Sequence, residues 1–206
     1  QQKPEGLPQA FTIGESFIGK DNVSLILGDN FFYGQSLTKN LRQNMNFKKG
    51  ARIFLHPVIN SSFYGVATIN NKKQVIKLIE KPKKSKSNLA ITGLYFFDND
   101  VIKYSKKLKP SKRKELEIVD LLNIYKKNKK LKADFIGRGG SWLDTGSIDD
   151  FYDASNFIST IEKRQGLKIA CLEEIALNSK WITKKDLNKA IQFYGNCEYS
   201  KYLKKL

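Results

Sequence analysis

LGDN at residues 27–30 and GSWLDTG at residues 140–146 are the two stretches that say most about this chain. In each, an apolar run gives way to a glycine-flanked aspartate, Asp29 or Asp144. Carboxylates at the ends of two separate strands can hold one hard cation between them. Mg²⁺ prefers a few carboxylates, completed by water and substrate phosphate. The two stretches therefore predict a magnesium site made by Asp29 and Asp144.

The bulk composition fits a folded globular chain. The 206 residues are 40% hydrophobic and include 13 phenylalanines, which is enough to build a core and argues against disorder. No apolar run in the sequence approaches membrane-spanning length, so we expect no membrane partner. Cys171 and Cys197 fit neither a metal-ligand spacing nor a disulfide framework, which predicts a reducing, cytoplasmic location.

The net charge of +17 raises the question of a nucleic-acid partner. The lysines are distributed in short clusters, such as those at 83–84, 126–127 and 184–185. A nucleic-acid surface usually concentrates Arg and Lys on one element with interleaved aromatic residues. We therefore expect no nucleic-acid binding, and a basic nucleic-acid binder is kept as an alternative.

Strand-like and helix-like patterns alternate along the chain and predict an α/β fold. The apolar run at 23–27 is typical of a parallel strand covered on both faces. Residues 65–69 and 75–79 predict a hairpin, and a helix should begin at Ser147 and stop at Gly166. We expect a mainly parallel, Rossmann-like sheet with an inserted β element and a helical C-terminal tail. The predicted domains are residues 1–166 and a small helical appendage over 167–206.

Several strings, taken together and in order, resemble the sugar nucleotidyltransferases. The strings are PEGLPQAF (4–11), LGDN (27–30), YGV (64–66), EKP (80–82), TGLYF (92–96), ELEI (115–118), WLDTG (142–146), ASNFI (154–158) and EKRQG (162–166). The resemblance extends from residue 1 to about residue 176 with nearly constant spacing. It is strongest to the branch that transfers a thymidylyl group from dTTP to glucose 1-phosphate, a step towards dTDP-rhamnose.

The resemblance assigns roles position by position. Asp29 and Asp144 match magnesium-binding, catalytic aspartates. The substrate positions it implies are Gln1 and Gly6 beside the nucleotide base, Tyr64, Gly65, Glu80, Ile91 and Tyr95 around the glucosyl ring, Lys81 and Arg113 at the sugar phosphate, and Trp142 near sugar and metal. Lys81 is also expected to be catalytic. A core tryptophan is the alternative reading of Trp142.

The chemistry of such a reaction agrees with this residue set. Joining two anions needs positioning and charge neutralisation rather than a nucleophilic side chain. The single histidine, His56, is therefore expected to be structural. The resemblance further implies a homotetramer, with the long helix from Ser147 and the helical tail as interface candidates.

Two alternatives to the thymidylyl reading remain open from the sequence besides the nucleic-acid binder. The enzyme could use UTP or CTP with another sugar 1-phosphate. A non-catalytic sugar-nucleotide-binding regulator would keep the sugar pocket without transfer. The family's glycine-rich phosphate loop is not found in the 206 residues, so we expect these residues to be a fragment that is inactive by itself.

Overall fold

A computed structural model describes residues 3–35 and 37–206 of the chain. The chain divides into two units, residues 1–145 and residues 146–206. The boundary lies before the long helix, whereas the sequence predicted it at residue 166. Glu162, on that helix, accepts hydrogen bonds from the backbone of Ile169 at 2.9 Å and from Lys168 Nζ at 2.5 Å. These bonds tie the helix to the segment that follows it.

Strands and helices alternate in the first unit, which confirms the predicted α/β class. Its helices are α1 (Gln9–Ile13), α2 (Glu15–Ile18), α3 (Leu37–Met45), α4 (Asp100–Ser105) and α5 (Ile118–Lys127). Its strands are β1 (Val23–Ile26), β2 (Asn30–Gly34), β3 (Ala51–Pro57), β4 (Gly65–Ile69), β5 (Val75–Glu80), β6 (Leu89–Phe97), β7 (Leu131–Phe135) and β8 (Gly140–Asp144). The inserted β element is the predicted hairpin, formed by β4 and β5.

The main sheet has the order β5-β4-β6-β3-β7, and β1 also pairs with β6. Among the described strands only β3 and β7 run parallel, and the other pairings are antiparallel. The predicted mainly parallel sheet is thus corrected. Strand β6 is buried at nearly every position. A central strand covered on both faces reads as a continuous apolar run whichever way its neighbours point.

One edge of β6 is shared by two different strands. Strand β4 pairs with its first residues, Leu89 and Ala90, and β1 pairs with Leu94 to Phe97. Strand β3 covers the opposite edge, with a bulge between Ile53 and Leu55. Residues 91–93 therefore lie on a stretch of edge that neither β1 nor β4 covers as part of its ladder. The sheet opens at this point.

Strands β2 and β8 form a separate two-stranded antiparallel ribbon, which the sequence reading treated only as turns. The register pairs Asn30 with Asp144 and Gly34 with Gly140. A Cβ atom on Gly34 would lie 2.8 Å from the Cα of Gly140, so the two backbones approach closely. The glycines that suggested turns instead permit this close pairing.

The core of the first unit packs α1, α4 and α5 against the sheet. Phe11 meets Phe97 edge-to-face at a centroid distance of 5.1 Å, and Tyr125 packs beside Phe97. The buried carboxylate of Asp98 accepts hydrogen bonds from Gly50 N at 2.6 Å and from Tyr125 Oη at 2.7 Å. Because a buried carboxylate without partners is costly, this pair of donors stabilises the junction between β3, β6 and α5.

The second unit is helical, as predicted for the C-terminal tail. It contains α6 (Ile148–Gln165), α7 (Leu172–Asn178), α8 (Lys184–Tyr194) and α9 (Glu198–Leu203). Ser147 caps α6 by accepting from Asp150 N, and Gly166 ends the helix in the left-handed conformation with φ 68°. Cys171, Leu187, Tyr202 and Leu203 form its core. None of the helices within 3–35 and 37–206 has the length and apolar character needed to cross a bilayer.

We predict that Gly50→Ala destabilises the first unit strongly. Gly50 has φ 104°, and an added Cβ would lie 2.3 Å from the carbonyl oxygen of Lys130. The strain should lower the free energy of unfolding by about 3 kcal/mol. Gly137→Ala is the control, because no atom lies within 4 Å of its Cβ position and its φ is ordinary. Urea denaturation measures both variants, and equal stability of the two would contradict the packing described at Gly50.

Candidate functional site

A cavity of about 270 Å³ lies where the sheet opens, entirely within the first unit. The predicted site residues that line it are Asp29, Tyr64, Gly65, Glu80, Lys81, Ile91, Tyr95, Arg113, Trp142 and Asp144. Gln1 lies outside the described residues. The structure thus brings together residues from β4, β5, β6 and β8 and from the segments before β2, before β4, after β5 and before α5.

Gly6 is not among the described residues that line this cavity. Its φ is 115°, and an added Cβ would lie 2.2 Å from the carbonyl oxygen of Leu116. The neighbouring Glu5 accepts a hydrogen bond from Leu116 N at 2.7 Å. The structure therefore gives Gly6 a packing reason of its own, and its predicted place beside a nucleotide base stays a prediction.

The two aspartates are brought together by the β2–β8 ribbon. Asp29 directly precedes β2, and Asp144 ends β8 opposite Asn30. The carbonyl oxygen of Asp29 accepts hydrogen bonds from Thr145 N at 2.8 Å and from Thr145 Oγ1 at 2.9 Å. Both carboxylates line the same cavity. Two carboxylates distant in sequence are thereby placed on neighbouring backbone positions.

This donor set fits a magnesium ion that is completed by substrate. Within 3–35 and 37–206 no cluster of three or more His, Cys, Asp or Glu residues could enclose a metal ion. Mg²⁺ commonly binds through one or two carboxylates and takes its remaining ligands from water and phosphate oxygens. Asp29 and Asp144 supply two such carboxylates. A site meant to enclose a metal with protein ligands alone would need more donors.

Trp142 forms one wall of the cavity. It is only 7% exposed and meets Tyr64 edge-to-face at a centroid distance of 5.0 Å. Its indole Nε1 donates to Asn30 Oδ1 at 2.6 Å. The ring is thus both buried and part of the cavity lining, and its predicted place near sugar and metal stays a prediction. His56 packs behind it at 6.2 Å, and burial lowers the pKa of this histidine, which agrees with a structural role.

Another part of the cavity lining consists of acidic residues grouped around Arg113. Arg113 lies 3.7 Å from Glu80 and 3.7 Å from Glu117, and it also pairs with Glu115 at 3.3 Å. Burial raises the pKa of Glu80, and the negative charge of Glu117 raises it further. The positive charges of Lys81 and Arg113 act in the opposite direction. Arg113 is therefore positioned by carboxylates and lies at the cavity surface.

Gly65 keeps the cavity open. It stands opposite Glu80 in the β4–β5 ladder. A Cβ atom at Gly65 would lie 2.9 Å from Val119 Cγ2 and 3.2 Å from Glu80 Oε2. A side chain there would fill the space between Glu80 and the opened edge of β6, so glycine at this position creates room for a ligand.

Lys81 has an unusual backbone conformation. Its φ is 39° although it is not glycine, and it precedes Pro82, which disfavours helical backbone at the position before it. Its amide donates to the carbonyl oxygen of Tyr64 at 3.1 Å. Such conformations cost about 1–3 kcal/mol and concentrate at functional sites. The hydrogen bond to Tyr64 holds Lys81 in this strained conformation at the cavity, next to Glu80.

Several described cavity residues were not predicted as site residues from the sequence, and Asn30, Gly93, Glu115 and Glu117 are among them. Asn30 bonds to the side chains of Asp29 and Trp142 and to the backbone of Gly93. The signal for Asn30 was present, since it directly follows the aspartate in LGDN. Its partners are distant in sequence, and only the folded chain shows them.

The chain is similar to known nucleotidyltransferases along most of its length. The model of the family "Nucleotidyl transferase" matches residues 1–161. The chain is 44% identical to a glucose-1-phosphate thymidylyltransferase of Neisseria meningitidis, over 100% of this chain and 72% of that protein. It is 42% identical to one of Mycobacterium tuberculosis, over 100% of this chain and 71% of that protein.

A solved structure agrees with the fold. The crystal structure of a UDP-glucose pyrophosphorylase complexed with UDP-glucose matches with a TM-score of 0.69 and 26% identity, over 78% of this chain and 64% of that chain. The chain thus spans less than two thirds of that structure and about 72% of the Neisseria protein. Family model, relatives and fold agree: the chain belongs to the nucleotidyl transferase family, in the branch of the glucose-1-phosphate thymidylyltransferases.

Proposed function

We propose that this chain carries a site for transferring a thymidylyl group from dTTP to glucose 1-phosphate, which yields dTDP-glucose and pyrophosphate. The observation that supports it most is that Asp29, Asp144, Lys81 and Arg113 line one cavity, where the sheet opens. The relatives at 42–45% identity bear the name of this reaction. The product belongs to the supply of activated sugars such as dTDP-rhamnose.

The chemistry requires two anions to meet. An oxygen of the sugar phosphate forms a bond to the α-phosphorus of dTTP, and the bond from that phosphorus to the bridging oxygen breaks. The leaving group is pyrophosphate. The attacking phosphate is already ionised, so no side chain has to remove a proton from it. The main tasks of the protein are alignment of the two phosphates and reduction of their mutual repulsion.

The charges of the cavity explain how these tasks are divided. Among the described lining residues are five carboxylates (Asp29, Glu80, Glu115, Glu117, Asp144) and two cations (Lys81, Arg113). Such a site repels phosphate by itself and attracts a divalent cation. Lys81 is the cation that offsets the charge of the incoming sugar phosphate. Arg113 exchanges part of its carboxylate contacts for that phosphate.

Magnesium is the cofactor that this arrangement fits. Asp29 and Asp144 would hold it, and when bound it would neutralise charge that develops on the α-phosphate. Tyr64 and Trp142 form an apolar wall for the glucosyl ring, and Glu80 accepts hydrogen bonds from its hydroxyl groups. Gly65 and Ile91 leave the space that the ring occupies, and Tyr95 closes the base of the cavity.

A uridylyl or cytidylyl transfer is the competing function, and the likeness to a UDP-glucose pyrophosphorylase favours keeping it. The test is release of pyrophosphate by the natural gene product with glucose 1-phosphate and dTTP, UTP or CTP. The proposal expects the highest kcat/KM with dTTP. A clear preference for UTP or CTP would replace the thymidylyl assignment. Sugar-nucleotide binding without turnover would support the regulatory alternative.

We predict that Asp144→Asn lowers kcat/KM by at least about 100-fold, a size typical of losing one electrostatic group at a transfer site. The half-saturating concentration of Mg²⁺ should rise as well, because one of two carboxylate ligands is lost. Asp21→Asn is the matched control, since Asp21 is an exposed carboxylate of the same unit outside the cavity. Unchanged Mg²⁺ dependence in Asp144→Asn would exclude a shared ion.

We predict that Glu80→Gln makes the first unit more stable at pH 7 while weakening glucose 1-phosphate binding. The folded state raises the pKa of Glu80, mainly through burial, so stability falls as pH rises above the unfolded value of about 4.3. Below about pH 4 both states carry the proton and the stabilities converge.

Urea denaturation followed by Trp142 fluorescence in a Trp181→Phe background measures the Glu80→Gln effect. Glu15→Gln is the control, because Glu15 forms an exposed pair with Lys106 that contributes less than about 1 kcal/mol. A Glu80→Gln variant that is less stable than the natural protein at pH 7 would show that the ionised carboxylate stabilises the fold.

We propose self-association through α6, as the family resemblance implies for a homotetramer. Ile148, Phe151 and Tyr152 are exposed on this helix, and their spacing places them on one face. Phe151→Glu should shift the natural protein to smaller species in sedimentation, because a charge replaces an apolar contact. Asp153→Glu, also on α6, is the control that should leave the mass unchanged. An unaltered mass for Phe151→Glu would exclude this face as an interface.

A further inference from the structure

We propose that Asn30 is a positioning residue of the transfer site, whose carboxamide fixes the carboxylate of Asp29, the indole of Trp142 and the open edge of β6 in one arrangement. This inference rests on the proposed function. It assigns Asn30 a role that acts through other residues: it orients a carboxylate and a ring that face the substrates.

The contacts of Asn30 join three separate elements. Its Oδ1 accepts from Trp142 Nε1 at 2.6 Å and from Gly93 N at 3.1 Å. Its Nδ2 donates to Asp29 Oδ1 at 2.7 Å. Trp142 belongs to β8, Gly93 to β6, and Asp29 precedes β2. One side chain therefore links the ribbon that carries the aspartates to the main sheet.

The hydrogen-bond partners determine which way the carboxamide points. Trp142 Nε1 and the amide of Gly93 are donors only, so they require the oxygen of Asn30. The carboxylate of Asp29 is an acceptor, so it requires the NH₂ group. The reversed orientation would oppose donors with donors and an acceptor with an acceptor. All three partners favour the same orientation, which gives the side chain a single stable position.

The absence of a side chain at Gly93 leaves room for the side chain of Asn30. A Cβ atom at Gly93 would lie 2.6 Å from Asn30 Oδ1 and 2.7 Å from Asn30 Cγ. The φ of Gly93 is not in the left-handed region, so its backbone conformation does not demand glycine. Glycine is needed because Asn30, together with the end of the Leu27 side chain at 2.9 Å, occupies the space. The amide of Gly93 would otherwise be an unpaired donor at the opened edge of β6.

Loss of the carboxamide should therefore act on catalysis without removing a charge from the cavity. Asp29 would lose the donor that orients its carboxylate, and Trp142 would lose its acceptor. Partners of this kind that orient a metal-binding carboxylate typically change activity or metal affinity by about 10- to 100-fold. We expect Asn30→Ala to lower kcat by about that factor with dTTP and glucose 1-phosphate.

The control is Asn99→Ala in the same unit. Asn99 Nδ2 donates to the carbonyl oxygens of Gly19 at 2.8 Å and Asp21 at 3.1 Å, outside the cavity. Asn99→Ala removes the same carboxamide group from a comparable set of hydrogen bonds. Its kcat should match that of the natural protein, while Asn30→Ala should differ.

Two readouts do not depend on turnover. The ¹⁵N–¹H indole resonance of Trp142, identified by its loss in Trp142→Phe, should move upfield in Asn30→Ala, while that of the exposed Trp181 stays unchanged. Asn30→Asp keeps an acceptor for Trp142 and should retain the downfield resonance. Binding of Mn²⁺ alone, followed by electron paramagnetic resonance, should weaken by about 10-fold in Asn30→Ala.

Gly93→Ala provides a second route to the same state. The added methyl group displaces Asn30, so this variant should reproduce the kcat loss and the Trp142 shift of Asn30→Ala. In the Asn30→Ala background the clash with Asn30 is gone and only the end of the Leu27 side chain, 2.9 Å from the added Cβ, has to shift, so Gly93→Ala should lower kcat much less than it does alone. Additive effects of the two substitutions would contradict the coupling, because independent sites add.

The outcomes separate this inference from the proposed function. Absence of turnover by the natural protein with every nucleotide would overturn the function. Turnover by the natural protein, with Asn30→Ala within about threefold in kcat and an unmoved Trp142 resonance, would overturn the positioning role. A rise in KM for glucose 1-phosphate with unchanged kcat would also overturn it, because it marks a residue that only binds substrate.

Discussion

The antiparallel pairing of β2 with β8 is the constraint on which the site depends. It joins backbone positions as far apart in sequence as Asp29 and Thr145, which are 116 residues apart. A ladder pairing fixes register to single residues, because a slip of one position would turn every side chain to the other face. With Asn30 opposite Asp144, both aspartates face one cavity. The close approach of Gly34 and Gly140 holds that register.

The cavity exists because β6 has two different neighbours on one edge. Strand β4 covers its beginning and β1 covers its end, and Ile91 and Gly93 of the uncovered stretch line the cavity. Backbone donors on an uncovered edge need partners. The backbone amide of Gly93 donates to Asn30 Oδ1, and the backbone carbonyl of Gly93 accepts from the amide of Leu27. The backbone groups of Gly93 at this opening are thus satisfied by hydrogen bonds to Asn30 and Leu27.

Two features of this site lower the stability of the folded chain. Lys81 is held at a positive φ before a proline, and Glu80 is buried so far that its pKa rises. Neither feature helps folding, and both place a charged group at the cavity. Strain and raised pKa values at one cavity are typical of sites under functional constraint. Elsewhere in the first unit, the buried carboxylate of Asp98 accepts hydrogen bonds from two donors.

Much of this arrangement could be predicted from the sequence, and the remainder has physical causes. The hairpin of β4 and β5, the cap at Ser147 and the stop at Gly166 follow from local patterns that short segments dictate. The direction of the strands could not be predicted in this way, because an apolar run such as β6 looks the same beside parallel or antiparallel neighbours. The β2–β8 ribbon was missed since its glycines resemble turn residues.

The site itself was predicted as a set of residues and not as a network. Ten of the predicted positions line one cavity, because the motif strings that carry chemistry are short and contiguous. Their connections are long-range: Trp142 bonds to Asn30, and Asn30 bonds to Gly93. No local pattern encodes such contacts. The same holds for Gly6, whose glycine is explained by the distant backbone of Leu116.

The most direct test of the central claim is anomalous diffraction from crystals of the natural protein grown with Mn²⁺ and dTDP-glucose. The account predicts one manganese peak within about 2.0–2.3 Å of a carboxylate oxygen of Asp29 and of Asp144, with a phosphate oxygen completing its ligands. A peak bound by only one of the two aspartates, or located away from both, would contradict it.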